Sequence, residues 1–374
     1  MNQNRILLLH EDPLLENLYR ERLEAAKFSV ASAPDVQSAL KVASETRPSL
    51  VVIDVVTAGM EPGNFVRQLR ELDATHPIPV VALPCSRMVL TEDVQHAGAT
   101  VLTRGINPIA DLVDTIQTTL GLERTAVLNK GLAFRPDEAW QTECFKNAPF
   151  TLNTLRRTLH EASREGGAIT KAFSEFLHTI HALAEQLAMV GQRPLQNFAN
   201  QMEALIFDLN RFPEQNNPSV LRTISQAIDF LATLLPETTR NLLREPGVAQ
   251  VLVVDDEEGA RKIVMAAMRL AHLKSMAADT PSSGLAALGV QGFDLIFLDV
   301  GLPEMSGFDL CSRIRALPLH EKTPIIFITG MATFQNRVQS SLSGGNDFIG
   351  KPFNISELGL KALIWIFKGQ LGQN

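Results

Sequence analysis

Apolar residues gather in short runs separated by stretches of helical spacing, and this alternation occurs twice along the chain. In the first copy, runs at 5–9, 28–32, 50–53, 78–83 and 99–103 alternate with amphipathic stretches near 13–26, 34–46, 63–73, 89–97 and 107–120. In the second, runs at 250–254, 273–278, 294–298, 324–328 and 346–349 predict five strands, with helices between them and a last helix after Pro352. Strands alternating with helices imply right-handed crossovers and a parallel sheet covered on both faces. The run Val51-Val52-Ile53, apolar without alternation, suits a strand buried on both sides. A pattern repeated at this length is an internal duplication.

Between the copies, from about 137 to 243, strand alternation is absent. Phe173, Phe176, Leu177, Ile180, Leu183, Ala184 and Leu187 follow helical spacing. Breakers at Gly166-Gly167, at Gly191 to Pro194 and at Pro213 to Pro218 divide the stretch into four main helices. Pro194 suits a first helical turn, and a bundle is the simplest way to bury the stripes. The expected organisation is two flavodoxin-like (βα)5 units with parallel five-stranded sheets, at 1–122 and 248–370. A linker at 123–136 and an all-α bundle at 137–245 separate them.

Composition narrows the function classes. The chain has 374 residues, 45% apolar, and a net charge of −7. No segment carries a basic surplus, so nucleic acid and anionic membranes are not expected partners. Cys85, Cys144 and Cys311 form no CxxC pair and are odd in number, which fits a reducing compartment. No stretch approaches the length of a membrane span, and the N-terminal apolar run is too short for a signal segment. A cytoplasmic location is expected.

The chemistry lies at the strand ends. Asp255 and Asp256 close the first strand of the second copy, Asp299 the third, Thr329 the fourth and Lys351 the fifth. In an open parallel sheet these positions meet on one rim. Three converging carboxylates call for a hard cation such as Mg²⁺ or Mn²⁺, which also accepts phosphate oxygens. Such a rim suits attack by Asp299 on a phosphoryl group, giving an aspartyl-phosphate. Lys351 can pair with the phosphoryl oxygens and the Thr329 hydroxyl can hydrogen-bond to them.

The segment Asp299-Val-Gly-Leu-Pro303-Glu-Met305-Ser-Gly307, with Asp255-Asp256 upstream and Thr329-Gly330 and Lys351-Pro352 downstream, resembles the receiver domain of two-component response regulators. The resemblance covers 248–370. It implies a phosphoacceptor at Asp299, metal ligands at Asp255, Asp256, Asp299 and the Gly301 carbonyl, and a switch pair at Thr329 and Phe348. A dehalogenase-type phosphatase would need a second Asp where Gly301 stands.

The first copy keeps the 43-residue interval from Glu11 to Asp54 that separates Asp256 from Asp299. Elsewhere it departs: His10 stands for Asp255, Pro84 for Thr329, and Arg104-Gly105 for Lys351-Pro352. Pro84 supplies neither hydroxyl nor backbone N–H, and Arg is not interchangeable with Lys in a compact pocket. This copy reads as a degenerate receiver used for docking or dimerisation, with weak phosphorylation of Asp54 as the alternative.

In the middle segment, His181 precedes Gly191 by 10, Leu195 by 14 and Met202-Glu203 by about 22 positions. This spacing resembles histidine phosphotransfer domains, helical bundles that carry one exposed phosphorylatable histidine. Ala184 and Glu185 stand where that family has Lys and Gly, and His178 is a second candidate. Two functions follow. In one, the chain is a phosphorylation-controlled adaptor with input at Asp299 and no catalytic output. In the other, it is a relay carrier passing phosphoryl groups between Asp299 and His181. Expected partners are a histidine kinase or phosphotransfer protein, other signalling proteins, and a second copy of the chain.

Overall fold

The computed structural model describes residues 4–57, 62–72, 78–83, 88–102, 108–122, 142, 144–164, 169–330 and 343–372. These fall into two compact units, Met1–Lys146 with Leu177–Gly191, and Asn147–Phe176 with Gln192–Asn374. The expected 123–136 linker lies outside the described residues, as does the expected helix before the last strand.

In the first unit, β1 (Arg5–Leu9), β2 (Ser29–Ala33), β3 (Leu50–Asp54), β4 (Val80–Leu83) and β5 (Thr100–Val101) form a parallel sheet in the order β2-β1-β3-β4-β5. Helices Pro13–Ala25, Val36–Thr46, Pro62–Glu71, Met88–His96 and Pro108–Thr119 follow the strands in turn. Local chemistry sets the starts: Asp12 accepts from the Leu15 N–H at 2.9 Å and Pro13 occupies the first turn. All five residues of β3 are buried, as an apolar run without alternation requires.

The second unit repeats the plan. β6 (Gln250–Val254), β7 (Lys274–Ala278), β8 (Leu295–Asp299), β9 (Ile325–Thr329) and β10 (Asp347–Gly350) are ordered β10-β9-β8-β6-β7, the same topology. Its described helices are Glu258–Leu270, Pro281–Val290, Gly307–Arg315 and Ile355–Gln370. Leu252, Val254, Ile296, Leu298, Leu310, Ile314, Ile325 and Phe327 form a core on one face of this sheet.

The middle segment forms the four expected helices, Ala148–Arg164, Ile169–Met189, Arg193–Arg211 and Pro218–Leu234. Over the expected 137–245 bundle, these helices are divided between the two compact units. Residues from Leu177 to Gly191 belong to the first unit, where Met189 and Ala182 join the core built on Leu8, Leu18, Val52 and Ile116. The other three helices belong to the second unit. A stripe at helical spacing requires an apolar partner but does not specify which one.

Helix Ile355–Gln370 is apolar nearly all round, with Leu358, Leu360, Leu363, Ile364, Ile366 and Phe367 buried. The reason is contact on two sides: it packs on β8 and also against helices Arg193–Arg211 and Pro218–Leu234. Phe198 and Phe367 meet at 6.1 Å between ring centroids. Three buried polar side chains along this seam find partners across it. Glu357 accepts from the Thr223 and Ser219 hydroxyls at 2.9 and 3.0 Å. Asn197 and Gln201 donate to the last carbonyls of helix Glu258–Leu270 and its cap, Ala271 at 2.8 Å and Leu270 at 3.0 Å.

Candidate functional site

The parallel register of the second sheet brings the predicted residues to one rim. Asp299 ends β8, and the pairing of Asp299 with Ile328 and of Thr329 with Gly350 sets Thr329 and Lys351 beside it. Asp255 follows β6, separated from β10 by β9 and β8. Lys351 Nζ lies 2.9 Å from Asp255 Oδ2, 3.1 Å from Asp299 Oδ1 and 3.5 Å from Glu257 Oε2. One ammonium thus serves two nearly inaccessible carboxylates, Asp255 at 0% and Asp299 at 6% exposure.

The electrostatics follow from burial. Desolvation pushes the Asp255 carboxyl above its usual range, and the nearby Asp299 charge adds to this against the opposing Lys351 and Glu257 N–H bonds. Burial alone pulls Lys351 down, but its hydrogen bonds to Asp255 and Asp299 outweigh that and hold it above its ordinary value.

Backbone geometry fixes Asp299. The Gly301 N–H donates to its Oδ2 at 2.6 Å. A Cβ on Gly307 would come within 2.1 Å of the Asp299 carbonyl oxygen, so only glycine fits there. Ser306 caps the helix that Gly307 opens.

Other predicted residues are placed differently. The Asp256 side chain is exposed, while its carbonyl and that of Asp255 accept from Arg261 Nη1 at 2.8 and 2.7 Å. Thr329 is buried at the rim and Phe348 is half-buried against the core. Sequence reasoning missed Glu257 and Arg261. Both fall within the first turn and a half after Asp255, where a helix entry faces the same rim, and that position was the available signal. It also missed Lys361, which is buried and bonded to Asp347 at 2.6 Å beside Phe348, with Trp365 Nε1 donating to the same oxygen at 3.3 Å.

Among the described residues no three His, Cys, Asp or Glu side chains converge in a metal-binding arrangement. The oxygen donors nevertheless suit a hard divalent cation. Asp255 and Asp299 are directed at a common point now held by Lys351, and burial of Asp255 disfavours its charge unless a cation is near.

In the first unit the same rim carries a different set of contacts. Asp54, at 1% exposure, accepts on Oδ1 from the Val56 N–H at 3.1 Å and on Oδ2 from the Thr57 N–H at 2.9 Å and the Thr57 hydroxyl. His181 Nε2 stands 3.1 Å from Asp54 Oδ1. The histidine expected to be exposed is therefore buried, at 3%, because its helix packs on the first sheet's core. His10 Nε2 meets Glu185 Oε2 at 3.2 Å, while its Nδ1 accepts from the Asp12 N–H at 3.2 Å. Burial pulls His10 down, but Glu185 and the Asp54 charge more than offset this and hold it above its usual value. His178 pairs with Glu11. Pro84, Arg104 and Gly105 lie outside the described residues.

Residues 251–362 match the family of response regulator receiver domains. Curated relatives include the probable transcriptional regulatory protein TcrX of Mycobacterium tuberculosis, 36% identical over 116 residues, covering 30% of this chain and 49% of that protein. The phosphate regulon transcriptional regulatory protein PhoB of Pseudomonas aeruginosa is 34% identical over 108 residues, covering 29% of this chain and 47% of the relative. The chain spans about half the length of the curated relatives it matches. Among solved structures, the chemotaxis protein CheY4 of Vibrio cholerae is 29% identical and covers 29% of this chain and 92% of its own, with a TM-score of 0.29. With the rim geometry and this match together, residues 251–362 of the chain are a response regulator receiver domain.

Proposed function

We propose that this chain is a signalling adaptor of a two-component phosphorelay, switched at Asp299. An Asp299 carboxylate oxygen attacks the phosphorus of a phosphohistidine. The P–N bond breaks, the imidazole leaves with the bonding electron pair and takes up a proton, and an aspartyl-phosphate remains. Lys351 pairs with the phosphoryl oxygens once its hold on Asp299 is relaxed, and the Thr329 hydroxyl donates to them. Held by Asp255, Asp256, Asp299 and the Gly301 carbonyl, Mg²⁺ or Mn²⁺ would neutralise charge on the transferring group. The observation that carries this reading is the single ammonium placed at 2.9 and 3.1 Å from two buried carboxylates at strand ends.

Output through protein contacts is supported by helix Ile355–Gln370. It follows Lys351 closely and is sandwiched between the sheet and helices Arg193–Arg211 and Pro218–Leu234. Movement at the rim would reach those helices without a further module. The relatives' transcriptional roles belong to their whole chains, about half of which is matched here. No described helix is long and apolar enough to cross a membrane. We assign the chain no catalytic output, and neither nucleic acid nor lipid as ligand.

The test is phosphotransfer from a phosphorylated histidine kinase to the full chain as wild type, Asp299→Ala, Asp54→Ala and His181→Ala. The expected result is loss of label in Asp299→Ala alone. Label retained in Asp299→Ala would overturn the assignment. The relay alternative requires onward transfer to depend on His181, and burial of that residue against Asp54 weighs against it.

A further inference from the structure

Two departures from the family patterns face each other. His10 replaces the acidic residue found at Asp255 in the second copy, and Glu185 stands where phosphotransfer helices carry glycine. Nothing in the sequence links them, yet His10 Nε2 and Glu185 Oε2 are 3.2 Å apart, with side chains 1% and 7% exposed.

The neighbouring contacts follow the same order. His178, His181 and Glu185 are three and four residues apart and share one helix face. They engage Glu11, Asp54 and His10 respectively, the three positions that correspond to Asp256, Asp299 and Asp255. Gln186 adds a bond to Asp12 at 3.3 Å. At Asp54, His181 Nε2 takes the place that Lys351 Nζ takes at Asp299, each 3.1 Å from Oδ1.

We propose that the segment Leu177–Gly191 is an internal ligand of the first receiver's acidic pocket, and that His10 and Glu185 are matched replacements that make the pocket specific for this helix. The occupant closes the pocket. Each Asp54 oxygen already has two donors, Oδ1 from Val56 N–H and His181, and Oδ2 from the Thr57 N–H and hydroxyl. A phosphoryl group has no approach while the helix stays. A residue with Asp at position 10 would set two carboxylates against each other at Glu185, so an unmodified receiver would reject this helix. The first receiver thereby serves as a docking site for the chain's own helix, and its histidine acts as a binding group.

A charge-swap cycle on the full chain tests this through hydrogen–deuterium exchange of residues 177–191, a readout that does not involve Asp299. His10→Glu places a carboxylate against Glu185 and should speed exchange of the segment by about tenfold or more, as loss of a buried pair does. The reciprocal double variant, His10→Glu with Glu185→His, restores a donor–acceptor pair of opposite polarity and should return protection towards wild type. Wild-type protection in the single variant would overturn the proposal. So would a double variant that exchanges as fast as the single, which covers the case in which position 10 simply tolerates no change.

Discussion

Asp54→Ala is expected to destabilise the first unit by about 3–5 kcal/mol at neutral pH, the usual cost of removing one partner from a buried ion pair. The substitution removes the carboxylate that His181 Nε2 and the donors of Val56 and Thr57 share, in a site with almost no access to water. Burial pushes the Asp54 carboxyl up, but the charges of His181 and His10 and the hydrogen bonds of His181 and Thr57 outweigh it, holding the carboxyl well below the usual carboxylate range. The sign follows: a folded pKa below the unfolded value contributes stability above about pH 4, lost as the pH falls through the folded pKa. The gap between wild type and variant should be full at pH 7 and close progressively in acid. Urea unfolding at both ends of that range, followed by exchange of residues 50–54, checks it. Equal stability at pH 7 would remove the structural role assigned to this residue. Asp299 phosphorylation should be unaffected.

Lys351→Met is expected to act on the second unit in two ways. It leaves Asp255 and Asp299 facing each other without their common cation, which should cost about 3 kcal/mol at neutral pH. Asp255 already has its carboxyl raised by burial, and removing Lys351 raises it further. A raised carboxyl favours the fold in its protonated form, so the loss should be small below about pH 4 and grow as the pH rises through the folded pKa. Phosphoryl incorporation at Asp299 should also fall by about a hundredfold, the scale on which loss of one charge-stabilising donor acts. Stopped-flow phosphorylation with a small phosphodonor and urea unfolding at pH 4 and 7 would test the pair of effects. A variant as fast as wild type would move the phosphoryl-binding role to another cation, and Arg261 is the neighbouring candidate.

Much of this site was legible along the chain because it is built from strand ends. The period of the apolar runs locates the ends, and a parallel sheet must gather them on one rim, so Asp255, Asp299, Thr329 and Lys351 could be named together. Glu257 and Arg261 were missed because residues on an exposed helical turn have no periodic signature that separates a rim contact from a solvated charge. Phe348 was assigned as a switch through resemblance. Asp347 beside it pairs with the buried Lys361 fourteen positions on, across a β–α connection that leaves no mark in the apolar pattern.

The middle segment shows where sequence reasoning stops. Four helices and the breaks at Gly191 to Pro194 and Pro213 to Pro218 were correct, since propensity, Gly and Pro act locally. Which unit each stripe packs into was not legible, because an apolar stripe records only that a face is buried.

By itself, then, the sequence determined two copies of one parallel fold, an intact carboxylate rim at Asp299, and altered residues at His10 and Glu185. Hydrophobic period and residue chemistry carry that information within a few turns of chain. Only the tertiary structure decided that His181 is buried on Asp54, 127 positions away, and that Glu185 complements His10 across 175. The partner of a buried polar group is chosen by which surfaces pack, and packing is set by apolar complementarity that many alternative pairings of the same helices would satisfy equally well on paper.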